Sequence, residues 1–545
     1  MAGRRPRGLG AVGVVVALAL VAPLVALPLA YVRGGLRFDA IARRLLPTAF
    51  TNSLVLALGV GAITLVVGGG LAVLVSFYEF PGRRWLDWAL VLPLAIPSYV
   101  LVYVVLGQYG LANPLQSNLF GEGLRLPGVR SRAGAILVLS AVLYPYVYIL
   151  ARSSFMGQSR QAVEAARSLG LRYRQAIWRV AVPLSRPALA GGTALAVMEA
   201  LADFGTVDLL GVQALTTAIY RVWYGAFDKD AAMQLATVLV GLALTLLAIE
   251  RVLRGRARYH QALGRGVAIT PVRLRGWRGW LAAFPCVALL ALVFVIPVAQ
   301  LVAWSVETIA DGRVDPRIGN AIFSTLMLGA IAATTAVATG AVIAYALRVQ
   351  PSRLGRTTAR LATIGYAVPG TVVAVAVYVP LVWVDRRLVD GAEATFGTDI
   401  GLVFTGSILG LIVAYLVRFH ALSYTSIESR MGRIQPSLDD AARSLGADRA
   451  RVFADVHLPL LRPGLAAAAL LVLVEVMKEL PATALLRPLG RDTLAITVWE
   501  ATKDSRVDTA ALPALLIVLV GLLPIILLVR VGRSGEARAS ARIGS

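Results

Sequence analysis

Apolar residues along this chain gather in long blocks instead of alternating with polar ones. About twelve of these blocks approach the twenty residues that carry a helix across a bilayer. In the first half they cover 9–32, 53–77, 86–107, 134–151, 187–207 and 233–252, and in the second half 279–304, 321–347, 359–384, 402–420, 463–486 and 511–529. The first block follows Arg4, Arg5 and Arg7, as the core of a signal peptide would. Its apolar stretch is longer than such a core, no clear small-x-small cleavage site follows it, and a comparable block opens the second half. It is therefore expected to be retained as a span.

The polar intervals repeat. Glu164-Ala165-Ala166-Arg167-Ser168-Leu169-Gly170 returns as Asp440-Ala441-Ala442-Arg443-Ser444-Leu445-Gly446, and Pro183 and Pro187 return as Pro459 and Pro463, always 276 positions on, as 440 lies from 164. Within the spans the offset is 272, as 324 lies from 52: Asn52-Ser53-Leu54 matches Ser324-Thr325-Leu326, and Ala95-Ile96-Pro97 matches Ala367-Val368-Pro369. A membrane domain has been duplicated together with a polar device. The expected fold is an all-α polytopic membrane protein with two parallel six-helix repeats, residues 1–253 and 279–545, joined by an Arg-rich linker at 254–278. The repeated loops cover about 157–183 and 430–459. An even number of spans per half keeps the repeats parallel, with a pathway between them.

Composition narrows the class. The 545 residues are 58% hydrophobic and 15% charged, with a mean hydropathy of +0.75. The net charge of +23 comes from arginines in short loops beside apolar blocks, where the positive-inside effect and anionic headgroups account for it and no groove-binding surface for nucleic acid forms. With the N-terminus in the cytoplasm, Lys and Arg favour inside segments by roughly two to one. Both repeated loops, the linker and the C-terminal tail then face the cytoplasm. The lone Cys286 and the scattered His260, His420 and His457 offer neither a disulfide framework nor metal-ligand spacing.

The repeated segment reads as a short helix. Ala165, Ala166 and Leu169 give it a small apolar face, Glu164 favours its positive N-terminal end and Gly170 is a natural stop. In the second copy Ser437 and Asp440 fit a capping box. The prolines that follow make the loop end stiffly, so that force on it moves the next span. A lone segment of this kind could rest on lipid; two copies in register favour a seat in the groove of another protein.

This pattern, an acid followed by Ala-Ala, three residues, Gly, and about a dozen residues to a Leu/Val-Pro pair, resembles the EAA motif of permease subunits in binding-protein-dependent ABC importers. The resemblance covers nearly the whole chain, as two fused halves, and implies the type I importer permease fold. It implies that Glu164, Ala165, Ala166 and Gly170, with Asp440, Ala441, Ala442 and Gly446, form coupling helices that dock into two copies of a cytoplasmic ATPase. It also implies an extracytoplasmic solute-binding protein and a place in a bacterial inner membrane. Asp440 departs from the usual Glu but keeps the charge on a shorter arm. The chain is not itself expected to be an enzyme or to hold a cofactor: a phosphate-cradling loop needs Gly-Lys before Ser or Thr, whereas Lys229 and Lys503 precede Asp and Lys478 precedes Glu. ATP belongs to the partner subunit. The segments Ala202-Asp203-Phe204-Gly205-Thr206-Val207 and Lys478-Glu479-Leu480-Pro481-Ala482-Thr483, with Thr216–Trp223 and Asp492-Thr493-Leu494-Ala495 after them, resemble the fused permeases of ferric-iron importers, which are similar to those for thiamine, polyamines and phosphonates.

Four carboxylates fall inside the apolar blocks. Glu199 and Asp203 match Glu475 and Glu479 at the 276 offset, four residues apart on one helix face. Charge within a bilayer is costly, which makes them candidates to line the solute pathway. They could instead hold helices together, with Lys478 pairing Glu475. A twelve-helix secondary transporter would share this hydropathy and could use these carboxylates for coupling, but it has no need of the repeated amphipathic segment.

Overall fold

The structure, a computed structural model, describes residues 8–33, 40–109, 128–157, 160–254 and 271–541. Most of the expected linker, 255–270 with His260, lies outside the described residues, as do 158 and 159 of the first repeated loop.

Nine described helices are long and apolar enough to cross a membrane, and two sharply bent pairs bring the number to as many as eleven. The bends fall at the repeated prolines. Arg83–Ala95 and Ser98–Gln108 meet at 88° on either side of Pro97. The matching block expected at 359–384 is cut in the same way, into Arg353–Ala362, a 3-10 turn Ile364–Ala367 and, after Pro369, Gly370–Phe396. Proline lacks the N–H that a continuous helix needs and forces the preceding residue out of the helical region. The apolar part of this last helix stops at Asp385-Arg386-Arg387, which leaves it short of a full crossing. The next helix begins at Ile408, later than the expected 402. The delay has a cause: the Asp385 carboxylate accepts the backbone N–H groups of Val403, Phe404 and Thr405 at 3.0, 2.9 and 2.7 Å and holds that segment as a loop.

The compact units do not coincide with the sequence halves. One consists of Met1–Arg44, Ala218–Thr237 and Asp315–Thr497, the other of Leu45–Thr217, Val238–Val314 and Val498–Ser545. In the unit built mainly from the second half, the chain's opening helix Gly8–Arg33 packs on Ile318–Val349, Arg353–Ala362 and Gly370–Phe396, and the Gln350 side chain accepts the Gly10 N–H at 3.0 Å. In the unit built mainly from the first half, Trp277–Leu290 packs on Arg83–Ala89, and Ile296–Ala310 packs on Ser98–Tyr109 and Val507–Ala541. Each half thus gives its first span to the unit formed by the other.

The interior of each unit repeats. Gly68 and Gly340 are matched positions, and a Cβ on them would lie 2.6 Å from the Tyr144 carbonyl and 3.0 Å from the Ser423 hydroxyl. Such closeness lets helices approach through van der Waals contact, the main attraction available within lipid. Each repeated loop also rejoins its span through a π turn, Ile177–Ala181 or Val452–His457, that ends two residues before Pro183 or Pro459. A widened turn takes up the clash of the proline ring with the carbonyl four residues earlier. A two-residue parallel ladder pairs Tyr78–Glu79 with Val272–Arg273, where the chain returns from the linker.

Candidate docking loops and pathway carboxylates

The first loop carries the helix Arg160–Ser168. It ends on Gly170 at φ 89°, with the Gly170 N–H bonded to the Arg167 carbonyl at 2.9 Å and the Leu171 N–H to Ala166 at 3.1 Å. That pair of bonds is a Schellman stop, which satisfies carbonyls left open at the helix end and needs a left-handed residue. The second loop repeats it: helix Pro436–Ser444, Gly446 at φ 85°, and bonds from Gly446 to Arg443 at 3.0 Å and from Ala447 to Ala442 at 3.1 Å. Just before each stop a leucine stands in the open, Leu169 86% exposed and Leu445 89%.

The helix faces differ in part from the sequence expectation. Glu164 and Ala165 point outward, as do Asp440 and Ala441, but Ala166 is buried and Ala442 half-buried. Ala166 therefore seats the helix, and the outward surface consists of the acid, the first alanine and the leucine. Glu164 is in the middle of its helix, whose first turn has no acidic residue. The capping box at Ser437 and Asp440 does not form. Pro436 starts the helix one residue earlier, after Gln435, so Ser437 already lies inside it, 3.5 Å from the Gln435 side chain.

Beneath these similar outer faces the seats differ. Val163 and Ala166 enter an apolar cluster with Phe77, Phe155, Ala176, Ile177 and Ala181, and the Tyr173 hydroxyl donates to the Phe77 carbonyl at 2.9 Å. In the second loop Asp439, the match of Val163, is buried between Arg348 and His457. Its Oδ1 is 2.7 Å from His457 Nε2 and its Oδ2 3.2 Å from Arg348 Nε. Arg348 Nη1 also donates to the carbonyls of Met431 and Ile434 at 3.1 and 2.9 Å. Burial pushes the Asp439 carboxyl upward, but the hydrogen bonds and charges of His457 and Arg348 outweigh it and hold the group below the usual carboxylate range. Sequence reasoning passed over this trio and set His457 aside. The visible signals were the doubled Asp439-Asp440 and a histidine directly before Leu458-Pro459; Arg348, 91 residues from Asp439, had none.

The four carboxylates separate into two kinds. Asp203 and Glu479 stand where the helices Arg186–Ala202 and Leu458–Lys478 end, and each caps the short helix beyond. Asp203 accepts the N–H groups of Thr206 and Val207 at 2.9 and 3.2 Å and the Thr206 and Ser98 hydroxyls. Glu479 accepts the Ala482 N–H at 2.9 Å and pairs with Arg418 at 3.2 Å. Gly370, the match of Ser98, makes room for that pair, since a Cβ there would lie 2.5 Å from Glu479 Oε1 and 2.7 Å from Arg418 Nη1. Glu475 is bonded to Lys478 at 2.9 Å and remains about a third exposed. Glu199, one turn before its own helix break, is half-buried. Among the described residues no group of three His, Cys, Asp or Glu is placed to hold a metal ion.

Two sets of broken and continuous apolar helices, each with one short polar-loop helix and its glycine stop, define a duplicated membrane transport subunit. The chain belongs to the family of binding-protein-dependent transport system inner membrane components, which matches residues 64–249 and 336–536, more than half its length. Among its relatives is the Fe(3+)-transport system permease protein FbpB 2 of Haemophilus influenzae, 26% identical over 484 residues, 88% of each chain. The putative ferric transport system permease protein FbpB 1 of the same organism is 24% identical over 491 residues, 84% of this chain and 71% of its own. A probable molybdenum ABC transporter permease protein of Haloferax volcanii is 32% identical over 199 residues, 36% of this chain and 71% of its own.

Proposed function

We propose that this chain is the fused permease of an ABC importer for ferric iron. It would form the solute pathway across a bacterial inner membrane, with both termini in the cytoplasm. A solute-binding protein would deliver the cargo from outside. The helices that carry Glu164, Ala165 and Leu169, and Asp440, Ala441 and Leu445, would each dock into a separate ATPase subunit that holds the ATP. The observation that carries this reading is the exposed leucine beside an acid and an alanine on a Schellman-stopped helix, present twice at one offset. An apolar side chain so exposed on a polar loop suits a partner's cleft. Iron as cargo is supported by the ferric permeases that align with most of the chain, whereas the molybdenum relative aligns with only one portion of it.

Glu199 and Glu475 are the pathway carboxylates that keep some exposure and could offer oxygen to a passing hard cation. Asp203 and Glu479 would shape the pathway through the helix breaks they cap. The test is ferric uptake into liposomes holding the permease, its ATPase and its binding protein, with Glu164→Lys and Asp440→Lys combined. Uptake should be lost while the permease still inserts and folds; normal ATPase recruitment and uptake in that variant would reject the docking role.

A further inference from the structure

We infer that Arg348, Asp439 and His457 form a strut that ties the second docking helix to the membrane helix Ile318–Val349, and that this gives the second loop a firmer mechanical link to its spans than the first loop has. The inference rests on the docking role proposed above and adds an inequality between the two loops.

Arg348 lies in the last turn of Ile318–Val349. One nitrogen of its guanidinium binds carbonyls at and just beyond the end of Ile408–Met431, and another meets the Asp439 carboxylate in the first turn of the docking helix. Both placements suit the helix dipoles, a cation at a C-terminus and an anion at an N-terminus. His457, in the π turn that leads back to Leu458–Lys478, holds the other oxygen of the same carboxylate. Tyr345 stands against the His457 ring at 5.5 Å between centroids and against Phe453 at 4.7 Å. One carboxylate thus joins the docking helix to two spans, and one guanidinium adds a third.

At the matched positions the first half has Ser76, Val163 and Ala181, which cannot form the same bridge. Among the described residues the first helix is seated through Val163 and Ala166 in an apolar cluster, with Arg167 over the Tyr173 ring at 5.8 Å, and apolar contacts are non-directional and allow small slides. The second is held by charged hydrogen bonds whose strength depends on geometry. A displacement imposed on the second helix therefore passes directly into Ile318–Val349, whereas the first seat can absorb part of it.

The test uses the complete transporter, with ATPase and binding protein, in liposomes, and measures ferric ion imported per ATP hydrolysed. Asp439→Asn and Arg348→Met should each lower that ratio by about tenfold, while the ATPase still copurifies and hydrolyses ATP. Val163→Ala in the first loop should change it by less than about twofold. A second readout is independent of transport: a spin label at the exposed position 445 should gain mobility in Asp439→Asn, and a label at 169 should not. An unchanged import ratio or an unchanged label at 445 overturns the strut. So does failure of both variants to yield folded protein, which would make the trio a folding requirement. Asp440→Lys separates the two levels: if it abolishes import while Asp439→Asn does not alter the ratio, docking stands and the strut falls, and if neither has an effect the docking role itself has failed.

Discussion

The two repeated loops present nearly the same surface outward and rest on different chemistry inward. On the outside, an acid, an alanine, a leucine and a left-handed glycine recur 276 positions apart. On the inside, Val163 and Ala181 pack with aromatic rings in one copy, and Asp439 is buried against Arg348 and His457 in the other. Duplication retained the outward residues and let the support diverge. The helix breaks behave alike: Asp203 accepts hydrogen bonds from neutral donors, and Glu479 pairs with Arg418.

The largest effect should come from placing the second copy's chemistry in the first. Val163→Asp would bury a carboxylate among Phe77, Phe155 and Ala181 with neither arginine nor histidine at the matched positions. A buried charge without a partner costs several kcal/mol, so folded yield in detergent should collapse. If Val163→Asp has the thermal stability of the unaltered protein, the first seat is not the dry apolar cluster described.

The helix breaks offer a smaller contrast. Glu479→Gln leaves Arg418 buried without its carboxylate, and breaking such a pair costs about 3–5 kcal/mol. Asp203→Asn keeps an oxygen for the N–H groups of Thr206 and Val207 and should cost about 1 kcal/mol. Denaturation in detergent should rank Glu479→Gln well below Asp203→Asn, and the reverse order would show that the Arg418 pair contributes little.

Much of this architecture was legible in the sequence. The repeat, the apolar blocks and the prolines that bend them depend on local chemistry that each residue carries with it. The exchange of first spans between units was not legible, because an apolar block matches any apolar neighbour and only packing at positions such as Gly10 and Gln350 selects one. The inward turn of Ala166 was missed because identical small residues do not mark which face they take. The Arg348 bridge was missed because its members are local to different segments and only the fold brings them together.

Titration should sharpen the contrast between the seats. The folded protein holds the Asp439 carboxyl below its ordinary value, so the unfolded chain takes up the proton first as pH falls. The stabilisation is fully present above the unfolded pKa of about 4 and is lost as pH drops through the lower folded value. The stability gap between the unaltered protein and Asp439→Asn should narrow as pH falls below about 4. For Val163→Ala the gap should not depend on acid in this way. A gap for Asp439→Asn that closes on the alkaline side would assign the linkage to another group.

The smallest contrast between the two copies should lie at their glycine stops, where the effects should be equal. Gly170 and Gly446 have φ of 89° and 85°, and nothing lies within 4 Å of a Cβ built on either. The cost of Gly170→Ala or Gly446→Ala in the isolated permease is therefore backbone strain alone, about 1–2 kcal/mol for a left-handed residue. The two variants should lower the melting temperature by the same amount, whatever lies beneath each helix, because the Schellman stop uses only bonds within the loop. Unequal losses would mean that the different seats reach the helix ends. In that case the similarity of the outer faces is maintained by their supports, and the loops are less independent of the bundle than their hydrogen bonds indicate.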